Sequence, residues 1–312
     1  MDLIQINKTS SDWGLKYRPE KFVDIILPQR FINLFSKIIQ EGKLCNFLFS
    51  GDPGCGKTSL ALILAKELDY NYLYLNMSVE TGIDVLRDDI KKFGMTVSNN
   101  GHRKLIIADE CDRASGNLKD GLKAEIEALS ENVSFIFITN HAHNLTDAWF
   151  SRLQKIDFVF TQDETKEMKT AIYKRTLEIL DLNKAEYDKP AIQIIVNKLF
   201  PDFRQILNTT QCLSMQGKIT KELVEASISV NLKEFFDILG RKKFKELRQY
   251  IANLNIKPTY FYSAIFQDIE NHFDGEKLVN AILILAKYSY ESNFVADAEL
   301  NITACCLEMM LL

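Results

Sequence analysis

The sequence is poor in glycine and proline, with 13 and 6 among its 312 residues. That scarcity argues against disordered, collagen-like or linker-rich chains, which are rich in these two residues. Long apolar runs are missing too, and the first eleven residues hold neither an apolar signal core nor an arginine-rich leader, so we expect a cytoplasmic protein without a membrane span. The net charge of −4 does not suit a protein that coats nucleic acid nonspecifically.

The six cysteines include no C-x-x-C pair, so a structural zinc site is not expected. Cys305 and Cys306 are adjacent, and we interpret them as small core residues of a helix. Hydrophobic residues make up 46% of the chain and charged residues 26%, which is an ordinary globular balance. The length allows two or three domains, each with a substantial core.

The order of apolar patterns changes near residue 161. Before that point strands alternate with helices, which is typical of a parallel sheet covered by helices on both faces. After it the pattern is helical throughout, so we predict an α/β domain at 1–161, a small helical domain at 162–229 and a second all-helical domain at 230–312. The expected strands are 45–50, 72–76, 104–108, 133–139 and 155–160.

The segment after the first strand fits the phosphate-binding pattern G-x-x-x-x-G-K-[ST]. Its glycines let backbone amides approach phosphate closely, and the following helix presents its positive end to the same phosphates. Lys57 is expected to reach the β- and γ-phosphates, and Thr58 to bind Mg²⁺. The predicted ATP-binding residues of this loop are Gly51, Asp52, Pro53, Gly54, Cys55, Gly56, Lys57, Thr58 and Ser59.

A second half of a nucleotide site follows about fifty residues later, where an apolar strand ends in Asp109 and Glu110. The carboxyl ends of parallel strands are where open α/β sheets bind ligands. We predict that Asp109 belongs to the Mg²⁺ shell and that Glu110 holds the attacking water. Asn140 ends the next strand; it either orients that water or simply forms a turn, and spacing alone does not decide between the two.

Two further segments carry a resemblance to the AAA+ ATPases, and more narrowly to the clamp-loader family. Residues 13–19, with Phe22 and Asp24, match the family opening W-x-x-K-Y-R-P-x-x-F-x-D, and residues 76–93 match its N-x-S…G-I-D-V-x-R…I…F segment. The resemblance implies an AAA+ domain, a helical lid at 162–229 and an oligomerising collar at 230–312. It also places Tyr17, Arg18, Pro19 and Ile25 against the adenine.

The same resemblance assigns roles to two arginines. Arg152, in Ser-Arg-Leu where the family has Ser-Arg-Cys, is expected to act in trans on the ATP of a neighbouring subunit; otherwise it is a surface arginine. Arg204 matches the lid arginine that senses γ-phosphate within its own chain, and we expect Pro201 in the first turn of that helix. The phrase at 200–204 and the Asp-Glu-x-Asp-Arg run at 109–113 most resemble the large subunit of T-even-type bacteriophage clamp loaders.

Contacts with DNA and with the clamp are also implied by the family. Helix starts would grip duplex phosphates through backbone amides, without reading sequence, although the same segments also suit ordinary capped helices. Phe93 and Met95 are candidates for the clamp contact and equally for the core. The predicted DNA contacts are Thr81, Gly82, Ile83, Arg87, Ser115, Gly116 and Asn117.

Together these features predict an ATPase with ATP and Mg²⁺ as cofactors. The resemblance implies a motor that opens a ring-shaped sliding clamp and loads it on primer-template DNA, with hydrolysis stimulated by both DNA and clamp. Its partners would be the clamp, copies of itself and a small subunit. The alternative is another AAA+ DNA-associated enzyme, such as a helicase loader or initiator.

Overall fold

The computed structural model describes most of the chain. The described residues are 10–78, 83–96, 103–113, 122, 126–129, 132–142, 145, 151–228, 232–253, 258–292, 294–295 and 297–312. The strands are β1 (Phe47–Ser50), β2 (Asn71–Asn76), β3 (Lys104–Asp109), β4 (Val133–Thr139) and β5 (Gln154–Asp157). They form one sheet of order β2-β3-β4-β1-β5, and every pairing is parallel. The predicted α/β fold with a helix-covered parallel sheet is thus confirmed.

Alternation along the central strands divides the core into two layers. Phe47, Phe49 and Ile136 point to one face, which is covered by the helices Gln29–Glu41 and Lys57–Glu67. Leu48 and Phe135 point to the other face, together with Ile106 and Phe137. Because both faces are buried, the strands read as nearly continuous apolar runs, which is why the sequence located them well.

The helices of the first compact unit are α1 (Trp13–Lys16), α2 (Gln29–Glu41), α3 (Lys57–Glu67), α4 (Ile83–Met95), α5 (Gln162–Leu182), α6 (Lys189–Leu199) and α7 (Phe203–Met215). The first two were not predicted. Helix α2 carries Phe31 and Phe35 four residues apart on its buried face, and it ends at Gly42, which has a positive φ of 67°. Helix α5 begins with a full capping box between Thr161 and Glu164.

A second compact unit begins at Thr220, after the first ends at Ile219. Its helices are α8 (Lys221–Ile228), α9 (Leu232–Gly240), α10 (Phe244–Asn253), α11 (Pro258–Asp268), α12 (Gly275–Glu291) and α13 (Ala298–Met310). Phe235, Phe261 and both Cys305 and Cys306 are fully buried in its core. The two cysteines are therefore core residues as predicted, while the three-domain boundaries stay a prediction.

Candidate nucleotide site

The phosphate-binding loop occupies the turn between β1 and α3. Gly56 adopts a left-handed φ of 99° just before the helix, a conformation that favours glycine. The buried Lys57 ammonium donates hydrogen bonds to the carbonyl oxygens of Gly51 at 2.7 Å and Asp52 at 2.6 Å. These bonds fold the lysine back over the loop, so its charge lies where the amides and the start of α3 favour phosphate.

Oxygen ligands suited to Mg²⁺ meet next to this loop. The Thr58 hydroxyl donates to Asp109 Oδ2 at 2.7 Å, which joins the start of α3 to the end of β3. The same Oδ2 atom accepts a bond from the Tyr74 hydroxyl at 3.0 Å, while Oδ1 accepts the Glu110 amide at 2.9 Å. Burial and the neighbouring Asp109 charge raise the pKa of Tyr74, so its hydroxyl stays a donor. A hydroxyl and a carboxylate in contact fit a hard divalent cation.

Glu110 follows with a left-handed backbone of φ 55°, a conformation that non-glycine residues seldom adopt. Its Oε2 atom lies 3.5 Å from the Arg113 guanidinium nitrogen Nε. Asn140 is exposed at the end of β4, and it lines the same cleft as Glu110 and Thr58. Asn140, Glu110 and Thr58 come together because β4 lies between β3 and β1 in the sheet.

The predicted adenine residues Tyr17, Arg18, Pro19 and Ile25 all line this cleft. The Tyr17 hydroxyl accepts a bond at 2.7 Å from the amide of Asn183, the residue that caps the end of α5. Arg18 instead reaches the phosphate side, where its Nε donates to the Ser59 hydroxyl at 3.0 Å. Burial and then the nearby Arg204 charge lower the pKa of Arg18. Tyr17 and Arg18 are adjacent in one motif, yet they contact different parts of the cleft.

The start of α7 contacts the phosphate-binding loop. Asp202 caps this helix by accepting the Gln205 amide at 3.0 Å, and the Phe203 amide donates to the Gly54 carbonyl at 3.2 Å. Arg204 lies in the first turn and lines the cleft. The expectation that Pro201 belongs to this first turn is wrong, because Pro201 precedes the capping residue and the helix begins at Phe203.

Comparison with known proteins agrees with this geometry. Residues 47–161 match the family described as "ATPase family associated with various cellular activities (AAA)". The replication factor C small subunit of Sulfurisphaera tokodaii is 30% identical over 245 residues, which cover 77% of this chain and 70% of that protein. The chain belongs to the replication factor C small-subunit family. It is an AAA ATPase.

A second relative spans nearly the whole chain. The replication factor C small subunit of Sulfolobus acidocaldarius is 28% identical over 316 residues, covering 96% of this chain and 95% of that protein. Among solved structures, the Thermotoga maritima RuvB Holliday junction branch migration motor has a TM-score of 0.55 and 20% identity, with 90% of this chain and 88% of that chain covered. The likeness to RuvB concerns the fold alone.

In this replication factor C family member, Arg152 lies where the strands begin, whereas the P-loop follows the carboxyl end of β1. It precedes β5, whose first residue Gln154 pairs with Phe47 at the start of β1. At about 3.3 Å of rise per strand residue, roughly 20 Å of sheet separates Arg152 from its own P-loop. Leu153 stands where the family motif has cysteine, and it is buried in the core. The neighbouring Arg152 side chain stays partly exposed.

The predicted DNA contacts lie largely outside the description. Thr81, Gly82, Ser115, Gly116 and Asn117 are not among the described residues, and for Ile83 and Arg87 only the α4 backbone is described. The two clamp candidates differ: Met95 is 74% exposed, whereas Phe93 packs partly buried against the core. Within the described helices, none is both long and apolar enough to cross a bilayer.

Sequence reasoning missed residues that contact the residues of the cleft. Tyr74 donates to Asp109 and Asn183 donates to Tyr17, yet neither belongs to a motif that we had assigned to ATP. Asp202 stands in the segment 200–204 without a role of its own, and it lies against Gly54. A tyrosine two residues before the end of a predicted strand was the available signal for Tyr74, whereas Asn183 and Asp202 meet their partners only through tertiary packing. Met168 and Ile172 of α5 and Leu207 of α7 form an apolar wall of the cleft.

Proposed function

We propose that this AAA ATPase is the motor subunit of a DNA polymerase sliding-clamp loader, of the type found as the large subunit in T-even-type bacteriophages. The replication factor C relatives support the clamp-loader role. The segments at 200–204 and 109–113 support the narrower likeness. The partners would be the sliding clamp, further copies of this chain, a small subunit and primer-template DNA. Such a protein would act in the cytoplasm of the host cell.

The observation that carries this proposal is the composition of the cleft. Lys57 at the start of α3, Asp109 at the end of β3 and the following Glu110 line it together with Arg204 of α7, in the proposed lid. ATP would therefore contact both parts at once, whereas ADP lacks the γ-phosphate that Arg204 is placed to sense. Hydrolysis then weakens the bond between sheet and lid, which is the change of shape that a loader needs to release a clamp.

Each cleft residue has a chemical task in this reaction. Lys57 and the loop amides hold the phosphates, and Thr58 with Asp109 would hold Mg²⁺, which neutralises charge on the phosphate oxygens when bound. Glu110 would accept hydrogen bonds from the attacking water, and Asn140 would orient that water. Tyr17, Pro19 and Ile25 would hold the base, while Arg18 would contribute charge nearer the phosphates.

Arg152 would act on the ATP of the adjacent subunit. Its place at the beginning of the strands supports action in trans, because its side chain is far too short to reach the cleft at their carboxyl ends in the same chain. A guanidinium supplied by a neighbour stabilises the charge that develops in phosphoryl transfer. Turnover would then require the assembled spiral, in which residues 81–83, Arg87 and residues 115–117 would contact DNA and Phe93 and Met95 would contact the clamp.

The test is steady-state ATP hydrolysis by the chain assembled with its small subunit, with and without primer-template DNA and the clamp. We expect stimulation by each and the largest rate with both. ATP binding with turnover indifferent to the clamp would favour a helicase loader or initiator instead. A clamp from an unrelated replication system is the matched control.

A further inference from the structure

The guanidinium of Arg152 is held by a carboxylate of its own chain. Arg152 Nε donates to Glu127 Oε1 at 2.7 Å, and Nη2 lies 2.6 Å from the same oxygen. Nη1 also donates to the Ser151 hydroxyl at 3.3 Å. The side chains remain 32% and 63% exposed respectively, so the pair is accessible from solvent. These contacts restrain the orientation of a long, partly exposed arginine.

The backbone on both sides of this pair is anchored in the same core. Glu127 is flanked by Ile126 and, two residues on, Leu129, while Arg152 precedes Leu153; all three apolar residues are buried in one cluster. The Leu129 carbonyl additionally accepts the Val133 amide at 2.9 Å, which joins this segment to the start of β4. The backbone that carries each charged group is therefore anchored beside buried residues, and the ion pair joins the two side chains.

We propose that Glu127 is a positioning residue that presents Arg152 to the nucleotide of the adjacent subunit, an inference that rests on the trans role proposed above. Preorganisation matters here because an exposed arginine otherwise loses rotamer entropy when it orders at a phosphate. Oε1 of Glu127 contacts both Nε and Nη2 of the guanidinium, and two contacts to one charged oxygen restrain the orientation of the group more than one contact would. It touches no substrate and acts through Arg152.

The experiment compares Glu127→Ala, Glu127→Gln, Arg152→Ala and the double variant E127A/R152A in the assembled loader with clamp and primer-template DNA. We expect Glu127→Ala to lower kcat about two- to fivefold, the range of an exposed ion pair, with KM for ATP unchanged. Glu127→Gln keeps an acceptor oxygen and should recover most of that loss. In the Arg152→Ala background, removing Glu127 should change nothing further.

The outcomes separate the two proposals. If Arg152→Ala leaves turnover unchanged, the trans role itself fails. If Arg152→Ala is slow while Glu127→Ala has the wild-type kcat, the positioning role is overturned and the trans role stands. A further loss of kcat in the double variant would also overturn it, because Glu127 would then act independently of the arginine. A rise in kcat for Glu127→Ala would also overturn the positioning role, because the ion pair would then hold the arginine back from the neighbouring nucleotide.

Discussion

The carboxylate of Asp202 lies directly against the α-carbon of Gly54, so that a methyl group on Gly54 would come within 1.8 Å of Asp202 Oδ1. The neighbouring Phe203 amide bonds to the Gly54 carbonyl at 3.2 Å. Gly54 belongs to the phosphate-binding loop and Asp202 caps α7, the helix that carries Arg204 and that we propose as part of a lid. The start of α7 thus contacts the loop at a residue without a side chain, and the contact leaves no room for one.

This contact predicts that Gly54→Ala separates lid from loop. The added methyl group forces Asp202 away, which moves Arg204 with its helix, and such overpacking costs about 1–3 kcal/mol. We expect ATP affinity to fall about tenfold, since 1.4 kcal/mol corresponds to a factor of ten. Titration with a fluorescent ATP analogue measures it.

The control for backbone strain is Gly42→Ala. Gly42 has φ +67°, close to the +72° of Gly54, but a methyl group there would meet nothing within 4 Å. Both variants therefore carry a similar conformational penalty, and only one disturbs the lid. Equal ATP affinity in the two would show that the Asp202 contact is irrelevant to binding.

Lys57→Ala should abolish ATP binding. The substitution removes the buried ammonium and leaves the Gly51 and Asp52 carbonyls facing the phosphates without a donor between them. Lys66→Ala is the matched control, because Lys66 is an exposed lysine on the same helix. Calorimetric titration with ATP distinguishes the two; measurable binding by the Lys57 variant would contradict the assigned role.

The layout of the sheet followed from sequence because burial on both faces leaves a direct mark on composition. Strand β4 has the predicted bounds Val133–Thr139, and the phosphate-binding loop has a pattern that few other structures produce. Helix α2 was not predicted, although Phe31 and Phe35 have helical spacing and lie on its buried face. The segment carries no motif, but its periodic apolar signal is sufficient to indicate a helix.

Side-chain partnerships between distant segments were a different matter. Tyr74 meets Asp109 because β2 and β3 pair in a register that joins Asn76 to Asp109, and no periodicity reveals that register. Likewise, Glu127 meets Arg152 only after β4 and β5 have taken their places in the sheet. Sequence patterns locate elements, whereas the exact neighbours of a polar side chain depend on tertiary packing.

Tyr74→Phe should weaken Mg²⁺ binding while leaving the fold intact. The change deletes one donor to Asp109 Oδ2 and preserves the ring, so the carboxylate loses one of the bonds that fix its orientation. A net loss of about 0.5–1.5 kcal/mol corresponds to roughly a two- to tenfold higher Mg²⁺ requirement.

The measurement is Mg²⁺-dependent binding of a fluorescent ATP analogue, read without turnover. Binding in excess EDTA serves as the control and should match the wild type, since Tyr74 bonds to the carboxylate of Asp109. An unchanged Mg²⁺ titration would show that Thr58 and the Glu110 amide suffice to orient Asp109.

Lys104→Met should destabilise the end of helix α4. The buried Lys104 ammonium donates to the Phe93 carbonyl at 2.6 Å and to the Gly94 carbonyl at 3.3 Å, and it also bonds to the Thr96 carbonyl. Methionine fills similar space but removes the donor to the Gly94 and Thr96 carbonyls and leaves the Phe93 carbonyl with only the Thr96 hydroxyl, at a helix C-terminus where a positive charge is also favourable. The cost should be about 1–3 kcal/mol, a fall in Tm of roughly 2–10 °C.

Thermal unfolding measures this loss, and Lys92→Met on the exposed face of α4 is the control that should leave Tm unchanged. The prediction reaches function because Met95, the more exposed of the two candidates for the clamp contact, lies on the same last turn. A frayed turn no longer presents Met95 in one place, so clamp affinity of the assembled loader should fall with Tm. If Tm falls while clamp affinity holds, the clamp contact lies elsewhere than at the end of α4.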